Sequence, residues 1–198
     1  MTLDRFYPIF DHPDWLSRML PHGVKLVQMR IKSLEGDALK QALQASKRLC
    51  DDAGAVMVVN DFWQLAIDIG CDWVHLGQED LDDADIAAIR RAGIKLGIST
   101  HDHDELDRAL RLDPDYVALG PVYPTILKKM KWTEQGLDRV AEWKRLVGAI
   151  ALVGIGGMTV ERAGGVFNAG ADIVSVVTDI TLHDNPELRL DDWVRTTR

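Results

Sequence analysis

Residues 26–60 read LVQMRIKSLEGDALKQALQASKRLCDDAGAVMVVN. The stretch begins and ends with short apolar runs, at 26–29 and 56–60, which are typical of buried parallel strands. Between these runs, apolar residues recur at helical spacing over 36–52, and Gly54 follows them where a C-terminal helix cap would stand. The stretch therefore predicts a strand–helix–strand unit.

This pattern repeats along the whole chain of 198 residues. Amphipathic helices are predicted between further strands, for example at 85–92 and 104–112. Eight strand–helix units in this length predict an α/β protein with a single (β/α)8 TIM-barrel domain over residues 1–198. The alternative is a doubly wound open sheet, because periodicity does not show whether a sheet closes. The strand candidates are short apolar runs that tend to be bounded by Gly, Asp or Asn, at 6–10, 26–29, 56–60, 73–76, 95–99, 116–120, 151–155 and 173–177.

The composition argues against several classes of function. The formal net charge is -8, whereas nucleic acids and anionic membrane surfaces attract a broad basic field, so neither partner is predicted. No run reaches the ~18 apolar residues of a membrane span, and no signal peptide is predicted. Cys50 and Cys71 lack a CxxC partner, which indicates reduced thiols and a cytoplasmic location. The oligomeric state stays open, with a homo-oligomer among the alternatives.

The end of the second strand carries basic and amide side chains. Active groups of a barrel cluster at the carboxyl ends of its strands. Alternation places Gln28, Arg30 and Lys32 on one side of the chain, and Met29 and Ile31 on the other. Two cations and an amide at the barrel mouth suit a phosphate or pyrophosphate. The alternative is a solvated strand end, where Arg and Lys are common.

Two carboxylates follow the next two strands. Asn60 and Asp61 end the third strand and Asp80 follows the fourth, so Asp61 and Asp80 should reach the same rim. Beside a phosphate site, such a pair predicts Mg²⁺, which prefers hard oxygen ligands and usually keeps some waters. The alternative for either residue alone is that it caps the following helix.

Residues 99–104, at the end of the fifth strand, read STHDHD. Their alternating His and Asp suggest a zinc site. Consecutive residues seldom face one metal, however, and Ser-Thr-x-Asp is ordinary helix-start chemistry. We therefore predict a helix start here and no zinc.

Residues 120–132, GPVYPTILKKMKW, follow the sixth strand and carry three lysines within four residues. Two prolines interrupt regular structure, and the next helix is not predicted before residue 134. A long loop at the catalytic rim is a usual place for a mobile lid, and its lysines would close over an anion. The alternative is a solvated basic loop, which is the better explanation for Lys129.

Glycines follow the seventh strand, in the GIGG of residues 154–157, and the eighth strand ends in the VVT of residues 176–178. In (β/α)8 barrels, backbone N–H groups after these two strands often hold a phosphate. Tight turns also require glycine, so GIGG alone is not specific. Together, the strand ends predict two anion seats with a candidate metal pair between them, and hence substrates with two phosphate-bearing ends.

These residues, in this order, resemble the thiamine phosphate synthases, of the family that they share with the thiazole tautomerases. The resemblance covers roughly residues 6–180, and its combination of ND with HLGQED is specific, whereas GIGG and GP are common to many phosphate-binding barrels. The matching pieces are QMRIK, VVNDFWQLAIDIGCDWVHLGQEDL, GISTH, DYVALGPVYPT, VGIGGM and AGADIVSVV.

The resemblance implies a barrel that joins two thiamine precursors, hydroxymethylpyrimidine pyrophosphate and thiazole phosphate, with Mg²⁺ as cofactor. Pyrophosphate leaves a pyrimidine methylene, the ring stabilises the resulting cation, and the thiazole nitrogen attacks that carbon. By matching position, the resemblance implies that the pyrimidine substrate is bound by Gln28, Arg30, Lys32, Asn60 and Ser99, and that Mg²⁺ is bound by Asp61 and Asp80. It implies that the phosphates are bound by Thr125, Lys128, Gly157, Val177 and Thr178. The residues implied to act in catalysis are Arg30, Ser99 and Lys128.

One departure from the family pattern bears on function. The family usually shows Pro-Thr-x-Thr-Lys in the lid, but Leu127 stands here where a hydroxyl would donate to a phosphate. A non-catalytic binder of a thiamine precursor is therefore one alternative function. A thiazole tautomerase is another, although an isomerase has no use for the metal pair at Asp61 and Asp80.

Overall fold

The computed structural model describes residues 3–125 and 132–198. In this part of the chain, eight parallel strands close into a barrel in chain order, and the last strand hydrogen-bonds to the first. The predicted (β/α)8 barrel is confirmed, and the open sheet is wrong. The strands are β1 (Phe6–Phe10), β2 (Leu26–Met29), β3 (Val56–Asn60), β4 (Trp73–Leu76), β5 (Lys95–Thr100), β6 (Tyr116–Leu119), β7 (Ala151–Ile155) and β8 (Ile173–Val176).

The helices pack around the strands that they follow. Gly54 takes a φ of 62° directly after the second helix, which confirms the cap predicted there. Within the described ranges, no helix is long and apolar enough to cross a membrane. The helices are α1 (Pro13–Met19), α2 (Gly36–Ala53), α3 (Trp63–Asp68), α4 (Ile86–Arg91), α5 (His103–Leu110), α6 (Gly136–Val147), α7 (Val160–Asn168), α8 (Thr178–Thr181) and α9 (Pro186–Thr197), with short 3-10 turns at Leu20–His22 and Asp80–Asp82.

Buried side chains form two groups, one inside the barrel and one between the strands and the helices. The inner group includes large aromatic rings, which need space from neighbouring strands. Gly97 of β5 supplies that space, because a Cβ there would lie 2.0 Å from Cζ of Tyr116. The inner residues are Tyr7, Leu26, Val58, Trp73, Tyr116, Ala118, Val153 and Ile173.

Cys50 and Cys71 are both free and buried. Burial raises the pKa of the Cys50 thiol to about 12 and also raises the pKa of the Cys71 thiol. Both groups therefore stay protonated at neutral pH and are poor nucleophiles. They are part of the packing and supply no chemistry to the site.

Candidate active site

Two adjoining cavities open at the carboxyl ends of the strands. The first, of about 400 Å³, lies among the loops that follow the strands, and we call it the rim cavity. The second, of about 480 Å³, reaches down to Tyr7 and Ala118 inside the barrel, and we call it the barrel cavity. Both are lined by Arg30, Asn60, His75, Ser99, Ile155, Ser175, Val177 and Thr178.

The predicted site residues converge on these two cavities. Every one of them that the structure describes lines at least one cavity. Lys128, with Leu127, Lys129 and Lys131, lies outside the described residues. The rim cavity is lined by Arg30, Lys32, Asn60, Asp61, Asp80, Ser99, Thr125, Gly157, Val177 and Thr178, and the barrel cavity adds Gln28.

Asp61 and Asp80 do not cap helices. Phe62 precedes α3 without a side-chain cap, and it is Asp85 that accepts from Ala88 N at the start of α4, at 2.8 Å. Asp61 instead takes a φ of 65°, and its N–H donates to the His75 carbonyl of β4, at 2.9 Å. The capping alternative is therefore wrong for both residues.

The two carboxylates face each other at the rim. Burial raises the pKa of the Asp80 carboxyl, and the charge of Asp61 and a hydrogen bond with it raise that pKa further. The Gly77 N–H, which donates to Asp80 Oδ2 at 2.8 Å, acts in the opposite direction. Asp61 also accepts a hydrogen bond from Lys32 Nζ. Two carboxyl groups are thus held close together, and a bound cation would favour the ionised form of both.

This donor set fits Mg²⁺. No group of three or more His, Cys, Asp or Glu side chains among the described residues is arranged to hold a metal ion. Mg²⁺ does not need such a group, because it commonly binds one or two carboxylates and completes its coordination with waters and substrate phosphates. Asp61 and Asp80 would be the protein ligands, with the rim cavity open beside them for phosphate oxygens.

The alternation predicted after β2 is confirmed. Met29 and Ile31 are buried on the outer side, whereas Arg30 lines both cavities and Lys32 lines the rim cavity. Gln28 lies deeper than a position at the mouth, since it is only 3% exposed and its Nε2 donates to the Tyr7 hydroxyl, at 2.9 Å. The two cations therefore face the rim, and the amide belongs to the wall of the barrel cavity.

The β7–α7 turn forms a close contact with the loop after β6. Tyr123 N–H donates to the Gly156 carbonyl at 3.0 Å. Gly156 and Gly157 have φ values of 97° and 61°, and a Cβ on Gly157 would lie 2.3 Å from the Pro124 carbonyl oxygen. Only glycine fits this backbone, which brings the turn to the rim cavity opposite the basic residues. The turn is thus shaped to present backbone rather than side chains.

Residues 99–104 start a helix, as predicted. Asp102 Oδ1 accepts from Glu105 N at 3.0 Å at the first turn of α5, and Glu105 Oε2 accepts from His101 N at 2.8 Å. The two histidines bind different carboxylates, since His101 Nδ1 contacts Glu105 and His103 Nε2 contacts Glu142. Helix capping therefore accounts for the alternating His and Asp.

A chain of hydrogen bonds beneath the cavities was not predicted from the sequence. Gln28 Nε2 donates to Tyr7 Oη, which lies 2.9 Å from Tyr116 Oη. His75 bridges from there to the site, with Nδ1 2.8 Å from Tyr116 Oη and Nε2 2.8 Å from Ser99 Oγ. Burial lowers the pKa of His75 to about 4, so its ring is neutral at physiological pH. The sequence feature that could have predicted this chain is the presence of polar residues at inward-facing positions of otherwise apolar strands.

Ser175 of β8 is a second group that sequence reasoning missed. Its Oγ is buried and has no hydrogen-bond partner among the described residues, although it lines both cavities. An unsatisfied buried hydroxyl costs about 1–3 kcal/mol, so a bound ligand that pairs with it would recover that cost. Ser175 is therefore positioned to form a hydrogen bond with a polar atom of a substrate.

Ser175→Ala should separate stability from binding. Removing the unpaired hydroxyl should leave the melting temperature unchanged or raise it by about 2–4 °C, because no protein hydrogen bond is lost. The KM for one substrate should rise about 2–10-fold, since a ligand hydrogen bond contributes about 0.5–1.5 kcal/mol. Thermal denaturation and steady-state kinetics measure the two effects. A lower melting temperature with unchanged KM would show that Ser175 serves the fold alone.

The structure is a closed (β/α)8 barrel with a polar rim at the carboxyl ends of its strands, which is where enzymes of this fold carry their active sites. Residues 6–180 match the family model described as thiamine monophosphate synthase. The chain therefore belongs to the thiamine monophosphate synthase family, and the resemblance stated from the sequence is confirmed. The relatives that it matches over most of its length carry the name of a transferase.

Two of these relatives show how closely the sequences agree. A thiamine-phosphate synthase of Rhizobium etli is 56% identical over 197 residues, which cover 100% of this chain and 97% of the relative. A thiamine-phosphate synthase of Neisseria meningitidis is 41% identical over 183 residues, which cover 92% of this chain and 89% of the relative. The similarity to the Rhizobium etli relative thus extends over essentially the whole chain.

Solved structures share the fold. Thiamine phosphate pyrophosphorylase from Pyrococcus furiosus superimposes with a TM-score of 0.86 at 23% identity, over 98% of this chain and 95% of that one. 3-Hexulose-6-phosphate synthase from Salmonella typhimurium superimposes with a TM-score of 0.76 at 15% identity, over 98% of each chain. At such identities the likeness shows the barrel alone, because one barrel supports many activities.

Proposed function

We propose that the chain is a Mg²⁺-dependent thiamine phosphate synthase. It would transfer the hydroxymethylpyrimidine group from its pyrophosphate to the nitrogen of thiazole phosphate, giving thiamine phosphate and pyrophosphate. The observation that carries the proposal is the meeting of Asp61, Asp80, Arg30 and Lys32 in one cavity with the Gly157 turn. The full-length similarity to thiamine-phosphate synthases supports it.

The groups at the rim suit a leaving pyrophosphate. Asp61 and Asp80 would hold Mg²⁺, which neutralises charge on the leaving oxygens. Arg30 and Lys32 line the same cavity and would bind the remaining anionic oxygens. Lys32 already contacts Asp61, so its ammonium lies beside the carboxylates and can exchange that contact for a phosphate oxygen. These side chains stabilise the charge that develops as the carbon–oxygen bond breaks.

The opposite side of the cavity suits a second phosphate. The Gly157 turn, Val177 and Thr178 line it, and Thr125 lies at its edge. We assign the thiazole phosphate to this side, where backbone N–H groups approach an oxygen closely. Asn60, Ser99 and Gln28 line the space between or below the two seats and would orient the pyrimidine. Alignment of the two substrates then supplies much of the rate acceleration.

No strong base is required at the reacting carbon. The carbon–oxygen bond to pyrophosphate breaks, the pyrimidine ring stabilises the cation, and the thiazole nitrogen donates its electron pair to form the new bond. His75 is a neutral imidazole that lines both cavities, and both of its ring nitrogens are already in hydrogen bonds. The site is therefore arranged for binding and orientation, which is what this substitution needs.

An assay of both products tests the proposal. Purified protein should form thiamine phosphate and pyrophosphate in equal amounts from the two precursors, and EDTA should stop the reaction until Mg²⁺ is restored. Turnover of the thiazole precursor alone without Mg²⁺ would instead indicate a tautomerase. Binding of both precursors without product would indicate a non-catalytic binder of thiamine precursors, the alternative that Leu127 raises in the sequence.

A further inference from the structure

The hydrogen-bonded chain from Gln28 to Ser99 has a direction that follows from its chemistry. The Nε2 of the Gln28 amide only donates, so the Tyr7 oxygen accepts from it. The single proton of Tyr7 then needs an acceptor, and its other described partner is Tyr116 Oη, 2.9 Å away. Tyr7 therefore donates to Tyr116.

The same reasoning continues to the cavity. Tyr116 accepts from Tyr7, so its own proton goes to His75 Nδ1, at 2.8 Å. Because Nδ1 accepts this proton, the ring's own N–H lies at Nε2, which donates to Ser99 Oγ at 2.8 Å. Ser99 receives this bond as an acceptor. Its hydroxyl proton is left free to point into the cavities, both of which Ser99 lines.

The reverse direction is unfavourable for this arrangement. Ser99 would donate to His75 Nε2, and the Nδ1 proton would go to Tyr116. Tyr7 would then receive protons from both Tyr116 and Gln28, and its own proton would have no described acceptor at a residue that is 1% exposed. Buried donors without acceptors are rare in folded proteins. Only rotation of the Gln28 amide would allow the reversal, so Gln28 sets the direction of the whole chain.

We propose that Gln28, Tyr7, Tyr116 and His75 form a positioning chain that makes Ser99 a hydrogen-bond donor towards the substrate. The substrate atom that accepts from Ser99 is an anionic oxygen or an unprotonated ring nitrogen. In a reversed chain, Ser99 would donate its proton to His75 and would face that substrate atom with a lone pair. The inference deepens the proposed function, since it concerns a group of the same site. Tyr7, Tyr116 and His75 act through Ser99 and need no contact with substrate, whereas Gln28 sets the direction of the chain and also lines the barrel cavity.

The tautomer of His75 in the substrate-free protein tests the proposal. In protein labelled with ¹⁵N-histidine, the His75 signals are assigned by their loss in His75→Gln, and they should show Nε2–H. Gln28→Glu replaces the amide by a carboxyl group, and at a pH where that carboxyl is ionised it only accepts, which should reverse the chain and give Nδ1–H. Gln41→Glu makes the same charge change at an exposed position of α2 and should leave the tautomer at Nε2–H.

Three results would overturn the proposal: Nδ1–H in the unmodified protein, a doubly protonated ring at neutral pH, or the same tautomer in Gln28→Glu as in the unmodified protein. If Gln28→Glu does not fold, Tyr116→Phe takes its place, because it removes the donor to Nδ1 and should give a mixture of tautomers. An unchanged single tautomer in Tyr116→Phe would then contradict the chain. None of these readouts depends on activity, so they can fail while the proposed function stands.

Kinetics show whether the chain acts through Ser99. Tyr116→Phe should lower kcat/KM about tenfold, which is the loss of one well-placed hydrogen bond. In a Ser99→Ala background the same substitution should have less than about a twofold effect, because coupled residues are not additive. Equal effects of Tyr116→Phe in the two backgrounds would mean that Tyr116 acts by a route other than Ser99.

Discussion

Asp61→Asn and Asp80→Asn should each lower kcat/KM for thiamine phosphate formation by about 10²–10³-fold. Each substitution removes one of the two charges proposed to hold Mg²⁺, and a bound metal ion contributes several kcal/mol of charge stabilisation. Asn is the sharper choice at position 61, where φ is 65°, because Asn tolerates left-handed backbone and Ala does not. Initial rates over a range of Mg²⁺ concentrations measure the effect.

The fold should survive both changes. The side-chain amide introduced by Asp80→Asn would keep an oxygen that accepts from the Gly77 N–H, and neither Asp61 nor Asp80 caps a helix. We therefore expect melting temperatures within about 4 °C of the unmodified protein. Asp83→Asn, at an exposed position three residues beyond Asp80, is the matched control and should be fully active. Full activity of either site variant at saturating Mg²⁺ would remove that residue from the metal site.

Gly157→Ala should strongly lower activity, although it adds only one methyl group. Its Cβ would lie 2.3 Å from the Pro124 carbonyl oxygen, and alanine is strained at a φ of 61°. The turn and the loop after β6 must then separate by about 1 Å, a displacement that can cost about 10²-fold in rate. We expect kcat/KM for thiazole phosphate to fall by about that factor and the melting temperature to fall as well.

Gly164→Ala is the matched control for this prediction. Gly164 lies on the exposed side of α7, and a Cβ there would meet nothing within 4 Å. Alanine within a helix is favoured over glycine by about 0.5–1 kcal/mol, so this variant should be as active as the unmodified protein and slightly more stable. If Gly157→Ala had the activity and the stability of Gly164→Ala, the turn would not be a phosphate-binding site.

The fold was accessible from the sequence because each strand is short, apolar and buried. Five of the eight predicted strands have the observed bounds, and β5, β6 and β8 each differ by one residue at the carboxyl end. The carboxyl end is where each strand passes into a loop. In β6 and β8 the predicted strand continues for one residue beyond the last residue of the observed strand. Closure followed from the number of units, since periodicity itself is the same in an open sheet.

The candidate site was accessible only in part. Arg30, Asp61 and Gly157 could be placed because parallel strands bring their carboxyl ends to one rim. The alternative that Asp61 and Asp80 cap helices could be excluded only from the backbone structure. Tyr7 and Tyr116 could not be paired from the sequence, because whether two inward side chains meet depends on strand tilt and ring length. The unpaired Ser175 hydroxyl is likewise visible only once its surroundings are known.

Closure of the barrel has a consequence for how the chain folds. Phe6 of β1 pairs with Val174 of β8, which joins segments separated by nearly the whole sequence. Contacts between such distant segments form slowly, because a long loop must lose entropy before they form. Until β8 arrives on a nascent chain, β1 and the last strand made present open edges that can pair with other chains. Translation speed and chaperone capacity should therefore govern the yield of active enzyme.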